Sequence, residues 1–150
     1  MSINFGTDGW RAIIGEEFTF SNVRACTQGL ADYLKKSEGE KCNIVVGYDT
    51  RFASEEFAKA VTEVLVANGI QVYLSNSVVP TPVISYYVRL KGASGAVIIT
   101  ASHNPKLWNG FKYKSGDGGS ASSDVTNAIS ENSKSYEASG DIPLMDLDHA

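Results

Sequence analysis

Several features that would assign this chain to a familiar class are scarce or missing. Two of its 150 residues are cysteines and two are histidines. Cys26 and Cys42 lack the spacing of a metal site, so we expect reduced thiols rather than a disulfide framework or a zinc centre. No apolar run approaches the roughly 18 residues of a membrane helix, and residues 1–4 lack the basic start of a signal peptide. We therefore expect a soluble, cytoplasmic protein without a membrane partner.

Positive charge is also too scarce for a nucleic-acid-binding surface. The 13 lysines and arginines are outnumbered by 17 aspartates and glutamates, which gives a net charge of −4. We therefore expect no nucleic-acid partner, and any positive site must be local. The remaining composition, 43% hydrophobic and 20% charged, is that of an ordinary globular protein. The length corresponds to roughly one domain, which is enough for one core but short for an enzyme that must enclose its substrate.

Apolar strands alternate with amphipathic helical patterns along most of the chain. The first three expected helices have Ser21, Ser54 and Thr81 as their N-caps and end near Lys36, at Gly69 and at Gly92, and the last runs from Ser123 to about Lys134. The expected strands are 43–48, 70–74, 96–100 and 111–114. This alternation predicts an α/β fold, namely a three-layer αβα sandwich with a largely parallel, mixed sheet. We assign residues 1–134 to this domain and residues 135–150 to a linker toward a second domain.

A polar loop after the last buried strand is the most informative segment. Residues 95–99 are a continuous apolar run, typical of a strand covered on both faces, and the sequence Thr-Ala-Ser-His-Asn-Pro follows at 100–105. In open α/β sheets ligands collect beyond the carboxyl ends of the strands, so this loop is placed for function. Asn109 and Gly110 are a predicted turn pair, after which the chain returns as a second strand.

This loop brings a serine close to candidate cations. Ser102 is a poor nucleophile unless a base, a cation or a metal assists it, and His103 and Lys112 are near in sequence. A serine hydrolase fits badly, because no Gly-x-Ser-x-Gly elbow is present, His103 cannot easily fold back onto its neighbour, and the other histidine is His149. Phosphoryl transfer fits better, since it needs positive charge around a hydroxyl that carries phosphate. Lys112, Arg11 and backbone amides would supply that charge.

Three motifs in this order resemble the α-D-phosphohexomutase superfamily of phosphoglucomutases and phosphomannomutases. They are Phe5 to Arg11, Gly47 to Arg51, and Thr100 to Pro105 together with Asn109 to Lys112. The resemblance covers nearly the whole chain but only the amino-terminal domain I of a family whose members usually have four domains. It implies an intramolecular phosphotransferase that interconverts hexose 1-phosphate and hexose 6-phosphate through a phosphoserine and a sugar bisphosphate.

The resemblance also implies roles for individual side chains. Ser102 would carry the phosphoryl group and, through its phosphate, contribute to a Mg²⁺ site. Arg11, His103 and Lys112 match family positions that line this site, and Lys112 is the candidate for proton transfer. The expected substrate contacts are Asn104 and Asn109. The expected partners are hexose phosphate, hexose bisphosphate and the missing domains of the same polypeptide.

The chain also departs from the family pattern. The family's magnesium loop, an Asp-Gly-Asp-x-Asp-Arg segment in the second domain, has no counterpart, and neither Asp117 nor the Asp146–Asp148 segment reproduces its spacing. The family's sugar-recognition segment and last-domain phosphate loop are absent too. We therefore expect an excised or truncated amino-terminal domain that binds Mg²⁺ weakly or not at all and is inactive as a mutase on its own.

The side chains of the loop and of the following strand each have a structural alternative. Ser102 could cap a turn through its hydroxyl, and His103 could hydrogen-bond the loop backbone. Lys112 could be a solvated surface charge. For the chain as a whole, the alternative to an enzyme domain is a non-catalytic module that binds sugar phosphate or another protein.

The two motif arginines outside the loop have structural alternatives as well. Arg11 could pair with Asp8 or stack on Trp10 rather than bind phosphate. Arg51 follows Asp49 at a predicted strand end. We expect these two residues to form an ion pair that fixes the strand end rather than to touch substrate.

Overall fold

The computed structural model describes residues 3–6 and 9–149. The strands and helices, in chain order, are β1 (Trp10–Ile13), α1 (Phe20–Glu38), β2 (Asn43–Tyr48), α2 (Ser54–Ala67), β3 (Gln71–Leu74), α3 (Thr81–Lys91), β4 (Gly95–Ile99), β5 (Trp108–Ser115) and α4 (Ser123–Ser139). Thr7 and Asp8 of the first motif lie outside the described residues, and so does the proposed pairing of Arg11 with Asp8.

The five strands form one mixed sheet in the order β1-β5-β4-β2-β3. β2 pairs in parallel with β3 and β4, whereas β5 pairs antiparallel with β4 and β1. Helices cover both faces, so the predicted three-layer α/β sandwich with a mixed sheet is confirmed. No sequence pattern predicted β1, the short edge strand that completes the antiparallel half.

The two faces of the sheet carry cores of different size. The larger core contains the apolar faces of α1 and α2, and it includes Phe18, Leu30 and Phe57, all fully or nearly fully buried. α3 packs on β2 and β4 from the opposite face and buries Ile84 and Val88 against them. The side chains beneath α3 are Val45, Ala96 and Ile98.

α4 packs against α1 rather than against the sheet. Their backbones approach closely at Gly29, where an added Cβ would lie 2.8 Å from the Ile129 carbonyl oxygen. Asn132 Nδ2 donates to the Gly29 carbonyl at 3.1 Å, which ties the two helices at the same level. The helix continues to Ser139, past the expected end near Lys134.

Three of the expected N-caps and the expected turn pair are wrong in detail. α1 begins at Phe20, and its N-cap is Thr19, whose hydroxyl accepts from the Asn22 amide at 3.2 Å, rather than Ser21. Ser54 and Thr81 do not cap α2 and α3 but are the first residues of these helices. Asn109 and Gly110 are not a turn pair, because β5 already begins at Trp108.

Candidate active site

The serine loop lies where β4 ends, beside the end of the parallel neighbour β2. The Asp49 amide donates to the Ile99 carbonyl at 3.1 Å, and the Thr100 amide donates to the Gly110 carbonyl at 3.0 Å. The loop is therefore fixed to β2 on one side and to β5 on the other. This position, beyond the carboxyl ends of parallel strands, is where open α/β sheets bind ligands.

Ser102 is exposed at the tip of this loop and has an unusual backbone. Its φ is 53°, in the left-handed region, and only one other non-glycine among the described residues, Ala53, has a positive φ. Such a conformation costs a residue with a Cβ roughly 1–2 kcal/mol. The surrounding contacts must therefore hold Ser102 in place, and its hydroxyl is presented to solvent from a fixed backbone.

Asp49 and Arg51 form the predicted ion pair at the end of β2. Arg51 Nε lies 3.3 Å from Asp49 Oδ2, and the Arg51 side chain is only 13% exposed. The two terminal nitrogens of the guanidinium donate to four loop carbonyls, those of Ser102, Asn104, Pro105 and Trp108, at 2.7–3.0 Å. The predicted ion pair is confirmed, and the contacts of Arg51 reach beyond the strand end into the serine loop.

Asn109 lies in the protein interior next to the serine loop. It is fully buried, and its Nδ2 donates to Ser54 Oγ at 2.9 Å. Ser54 Oγ in turn donates to Asp49 Oδ1 at 2.8 Å. The structure thus places the predicted substrate contact Asn109 in a buried series of hydrogen bonds, with no surface of its own on the exposed side of the loop. We therefore assign Asn109 to support of the loop. The sequence does not predict these hydrogen bonds, because Asn109, Ser54 and Asp49 are not neighbours in sequence.

Arg11 and Lys112 project from the antiparallel half of the sheet. Arg11 in β1 pairs with Gly110 in β5, so Lys112 is its diagonal neighbour on the same face. Arg11 Nη1 donates to Asn104 Oδ1 at 2.8 Å, which links this face directly to the loop. Gly110 permits the arrangement, because an added Cβ would lie 2.5 Å from the Thr100 carbonyl oxygen. Two cations therefore lie on the sheet face next to the loop.

The remaining predicted side chains lie in or beside the loop. His103 is exposed, and Asn104 is half-buried by its contact with Arg11. Trp10 packs on Phe18 with ring centroids 4.9 Å apart, in the larger core on the side of β1 away from Arg11. The structure thus brings Arg11 and Asn104 into contact and places Ser102 and His103 side by side.

The described part of the chain does not fit a magnesium ion. It contains no group of three or more histidine, cysteine, aspartate or glutamate side chains that could hold a metal. Asp49, the carboxylate nearest to the loop in the network, uses both oxygens to accept from Thr100, Ser54 and Arg51. Mg²⁺ is usually anchored by carboxylates in octahedral oxygen coordination, which Ser102 alone does not provide.

Comparison with known proteins identifies the family. The family model described as phosphoglucomutase/phosphomannomutase, alpha/beta/alpha domain I, matches residues 2–139. This chain belongs to that family. The resemblance of its motifs to the phosphohexomutases is confirmed, and the matched part is the amino-terminal domain.

Individual relatives agree with this assignment. A phosphoglucomutase of Staphylococcus haemolyticus is 37% identical over 130 residues, covering 85% of this chain and 24% of the relative. A glucose 1,6-bisphosphate synthase of Mus musculus is 41% identical over 121 residues, covering 73% of this chain and 20% of the relative. Among solved structures, a putative phosphomannomutase from Thermus thermophilus superposes with a TM-score of 0.83 at 38% identity, covering 87% of this chain and 30% of that one. The chain thus spans about a quarter of the length of such curated relatives.

Proposed function

We propose that this chain is the phosphoserine-bearing domain of a hexose-phosphate mutase. Ser102 carries the phosphoryl group, and the mutase interconverts hexose 1-phosphate and hexose 6-phosphate through a bisphosphate. The domain would include the whole of α4, past the expected boundary at residue 134, and the segment after α4 would lead to the remaining domains of a cytoplasmic enzyme. Within the part of the chain that the structure describes, no helix is long and apolar enough to cross a membrane.

The observation that carries this proposal is an exposed serine on a rigid loop beside two cations. Ser102 is held by backbone contacts while its side chain is exposed. Arg11 and Lys112 lie on the adjoining sheet face, and phosphoryl transfer depends mainly on positioning and on neutralising charge. A merely turn-capping serine would not need a cationic face beside it.

In the proposed reaction, the bond between Ser102 Oγ and phosphorus breaks as a sugar hydroxyl oxygen forms a bond to phosphorus. The proton of the sugar hydroxyl passes to Ser102 Oγ by way of Lys112, whose ammonium gives one proton to Ser102 Oγ and whose amine takes up the sugar proton, so that no net proton is released. Arg11 and His103 bind phosphate oxygens, and Asn104 positions Arg11 through its side-chain oxygen. The reverse transfer of the sugar's other phosphate restores phosphoserine.

Metal ligands other than the serine phosphate would have to come from another part of the mutase. This follows from the poor fit of the described residues to Mg²⁺. The choice of hexose likewise rests on parts of the relatives that this chain does not span. We therefore assign the phosphoryl-carrying step to this domain and leave sugar selection outside it.

Intact-mass measurement of the purified chain tests the proposal. Wild type, as isolated or after long incubation with glucose 1,6-bisphosphate and Mg²⁺, should carry one phosphoryl group, and Ser102→Ala should carry none. The Ser102→Ala chain should keep its fold, because an exposed hydroxyl contributes little to stability.

Ser77→Ala is the matched control, since Ser77 is also an exposed loop serine. It should be phosphorylated like wild type. Wild type that never gains a phosphoryl group would favour a non-catalytic sugar-phosphate-binding module. Equal phosphorylation of the Ser102→Ala chain would show that Ser102 is not the carrier.

A further inference from the structure

We propose that Asp49 and Arg51 are positioning residues that hold the backbone of Ser102 from both sides, and that neither binds the transferred phosphoryl group. This inference rests on the proposed function of Ser102. It names a role for the middle motif of the chain, which lies at the end of β2 and not in the serine loop. The two sides of Ser102 are held by separate sets of contacts.

The amide side of Ser102 is held through Thr100. The Thr100 hydroxyl donates to Asp49 Oδ2 at 2.7 Å, and the same hydroxyl oxygen accepts from the Ser102 amide at 3.1 Å. Because the hydroxyl proton is directed at the carboxylate, the oxygen lone pairs are available to the amide. Asp49 thus fixes the orientation of the group that holds the Ser102 N–H.

The carbonyl side of Ser102 is held by Arg51. Arg51 Nη2 donates to the Ser102 carbonyl at 2.9 Å and to the Asn104 carbonyl at 2.7 Å. Arg51 Nη1 donates to the Pro105 and Trp108 carbonyls at 2.8 and 3.0 Å. One planar guanidinium therefore fixes the loop at four points, which a lysine ammonium cannot reproduce.

The same contacts exclude Arg51 from phosphate binding. Its terminal nitrogens are committed to loop carbonyls, and its Nε faces Asp49 Oδ2 at 3.3 Å. The guanidinium of arginine has no further N–H groups to offer. Asp49 cannot bind the phosphoryl group either, because its carboxylate is negative. Arg51 is thus the positioning arginine, whereas Arg11 lies on the sheet face proposed to meet phosphate.

Loss of these contacts would release a strained backbone. Ser102 has a φ of 53°, which a serine leaves readily when nothing holds it. Relaxation to negative φ would move the hydroxyl while the core beneath the loop stays intact. A displacement of about 1 Å at a reacting group lowers the rate on the order of 100-fold. The pair should therefore affect the rate of transfer far more than the stability of the domain.

NMR of the isotope-labelled 150-residue chain measures the backbone of Ser102 directly. Wild type should show the strong intraresidue cross-peak between the Ser102 amide proton and Hα that accompanies a positive φ. In Arg51→Lys the intensity of this cross-peak should fall to that of residues with negative φ, which counts here as its loss. The amides of residues 100–104 and of Lys106 should exchange faster with solvent, while the spectrum of the core is unchanged. The same samples should gain the phosphoryl group from glucose 1,6-bisphosphate about 100-fold more slowly.

A second pair of variants covers the other side of Ser102. Thr100→Val removes the hydroxyl and should behave like Arg51→Lys, whereas Thr100→Ser keeps it and should behave like wild type. Arg89→Lys is the control for the arginine change, because Arg89 is exposed on α3. If Thr100→Val and Arg51→Lys retain the cross-peak, Asp49 and Arg51 do not hold Ser102.

The phosphorylation measurement separates this inference from the proposed function. If both variants lose the cross-peak but gain phosphate at the wild-type rate, the conformation of Ser102 is irrelevant to transfer and the positioning role is refuted. If wild type itself never gains phosphate, the proposed function fails and the role in transfer fails with it. The NMR measurement then still decides whether the pair holds the loop.

Discussion

The sheet face toward α3 has two halves that differ sharply. Over β2 and β4, α3 covers the apolar side chains of Val45, Ala96 and Ile98. α3 packs on these two strands, and the antiparallel half of the same face carries Arg11 and Lys112. One sheet therefore serves two purposes on a single face, since a covered half stabilises the fold and a cationic half adjoins the serine loop.

The physical reason is the cost of burying charge. A helix laid over Arg11 and Lys112 would desolvate both cations, which is unfavourable without compensating partners. Half-buried cations at the edge of a helix keep part of their hydration and still act on an anion beside them. We therefore expect substitutions in the covered half to change stability and substitutions in the cationic half to change chemistry.

Lys112→Met gives the largest effect expected from this comparison. It keeps side-chain length but removes the proton donor, so phosphoryl transfer to and from Ser102 should slow about 10²–10⁴-fold. The free energy of unfolding should change far less than the rate, by about 1 kcal/mol or less. Intact-mass time courses over the same long incubation with glucose 1,6-bisphosphate, and urea unfolding, measure the two quantities. Lys36→Met, on the exposed side of α1, is the control, and an unchanged transfer rate would make Lys112 a surface charge.

Ile84→Ala tests the covered half. Ile84 is 2% exposed between α3 and the sheet, so the truncation should lower the free energy of unfolding by about 2–5 kcal/mol. Phosphorylation of Ser102, measured under conditions where the variant is folded, should stay near the wild-type rate. A large loss of transfer in the folded variant would show that the two halves are not independent.

Gly110→Ala changes the boundary between the halves. Its Cβ would lie 2.5 Å from the Thr100 carbonyl oxygen and 3.0 Å from the Trp10 carbonyl oxygen, so the strands must move apart. We expect a loss of about 1–3 kcal/mol in urea unfolding, together with slower phosphorylation. Wild-type stability would mean that β5 and its neighbours adjust without cost.

Alkaline pH should produce the smallest effect and should act through the core of the opposite face. Burial raises the pKa of the Tyr113 hydroxyl. Burial also raises the pKa of the Cys26 thiol, and the negative charge of Glu137 raises it further. The folded chain keeps these protons while the unfolded chain loses them, so the free energy of unfolding should fall as pH rises above about 9. Tyr113→Phe should reduce this fall. Urea unfolding at pH 8 to 10.5, about the range in which free thiols and phenols titrate, measures it, and a constant free energy of unfolding over that range would contradict the prediction.

The covered half was easier to predict than the cationic half. Apolar periodicity indicated β2, β4 and α3, and the Asp49–Arg51 ion pair followed from their spacing at a strand end. β1 gave no such signal, because Trp10 and Arg11 lie in a short edge strand whose pairing with β5 is a tertiary event. Strands of this kind depend on cross-strand packing more than on intrinsic preference.

Asn109 shows why the support of the loop could not be predicted. An asparagine before a glycine is typical of a turn, yet here both residues lie in β5. The deciding contact, from Asn109 Nδ2 to Ser54 Oγ, joins residues 55 positions apart. The four carbonyls that Arg51 contacts also lie 51 to 57 positions from it in sequence, so no local pattern predicts these contacts.

Phosphorus-31 NMR of the purified chain tests the central claim most directly. The chain would be mixed with Mg²⁺, glucose 1-phosphate and a small amount of glucose 1,6-bisphosphate. We predict one phosphoserine signal that Ser102→Ala abolishes, and no glucose 6-phosphate beyond the single equivalent that phosphorylation of Ser102 releases, because the described residues offer no carboxylate set for the metal. Glucose 6-phosphate that accumulates to many equivalents of the wild-type chain, or a wild-type chain without any phosphoserine signal, would contradict the account.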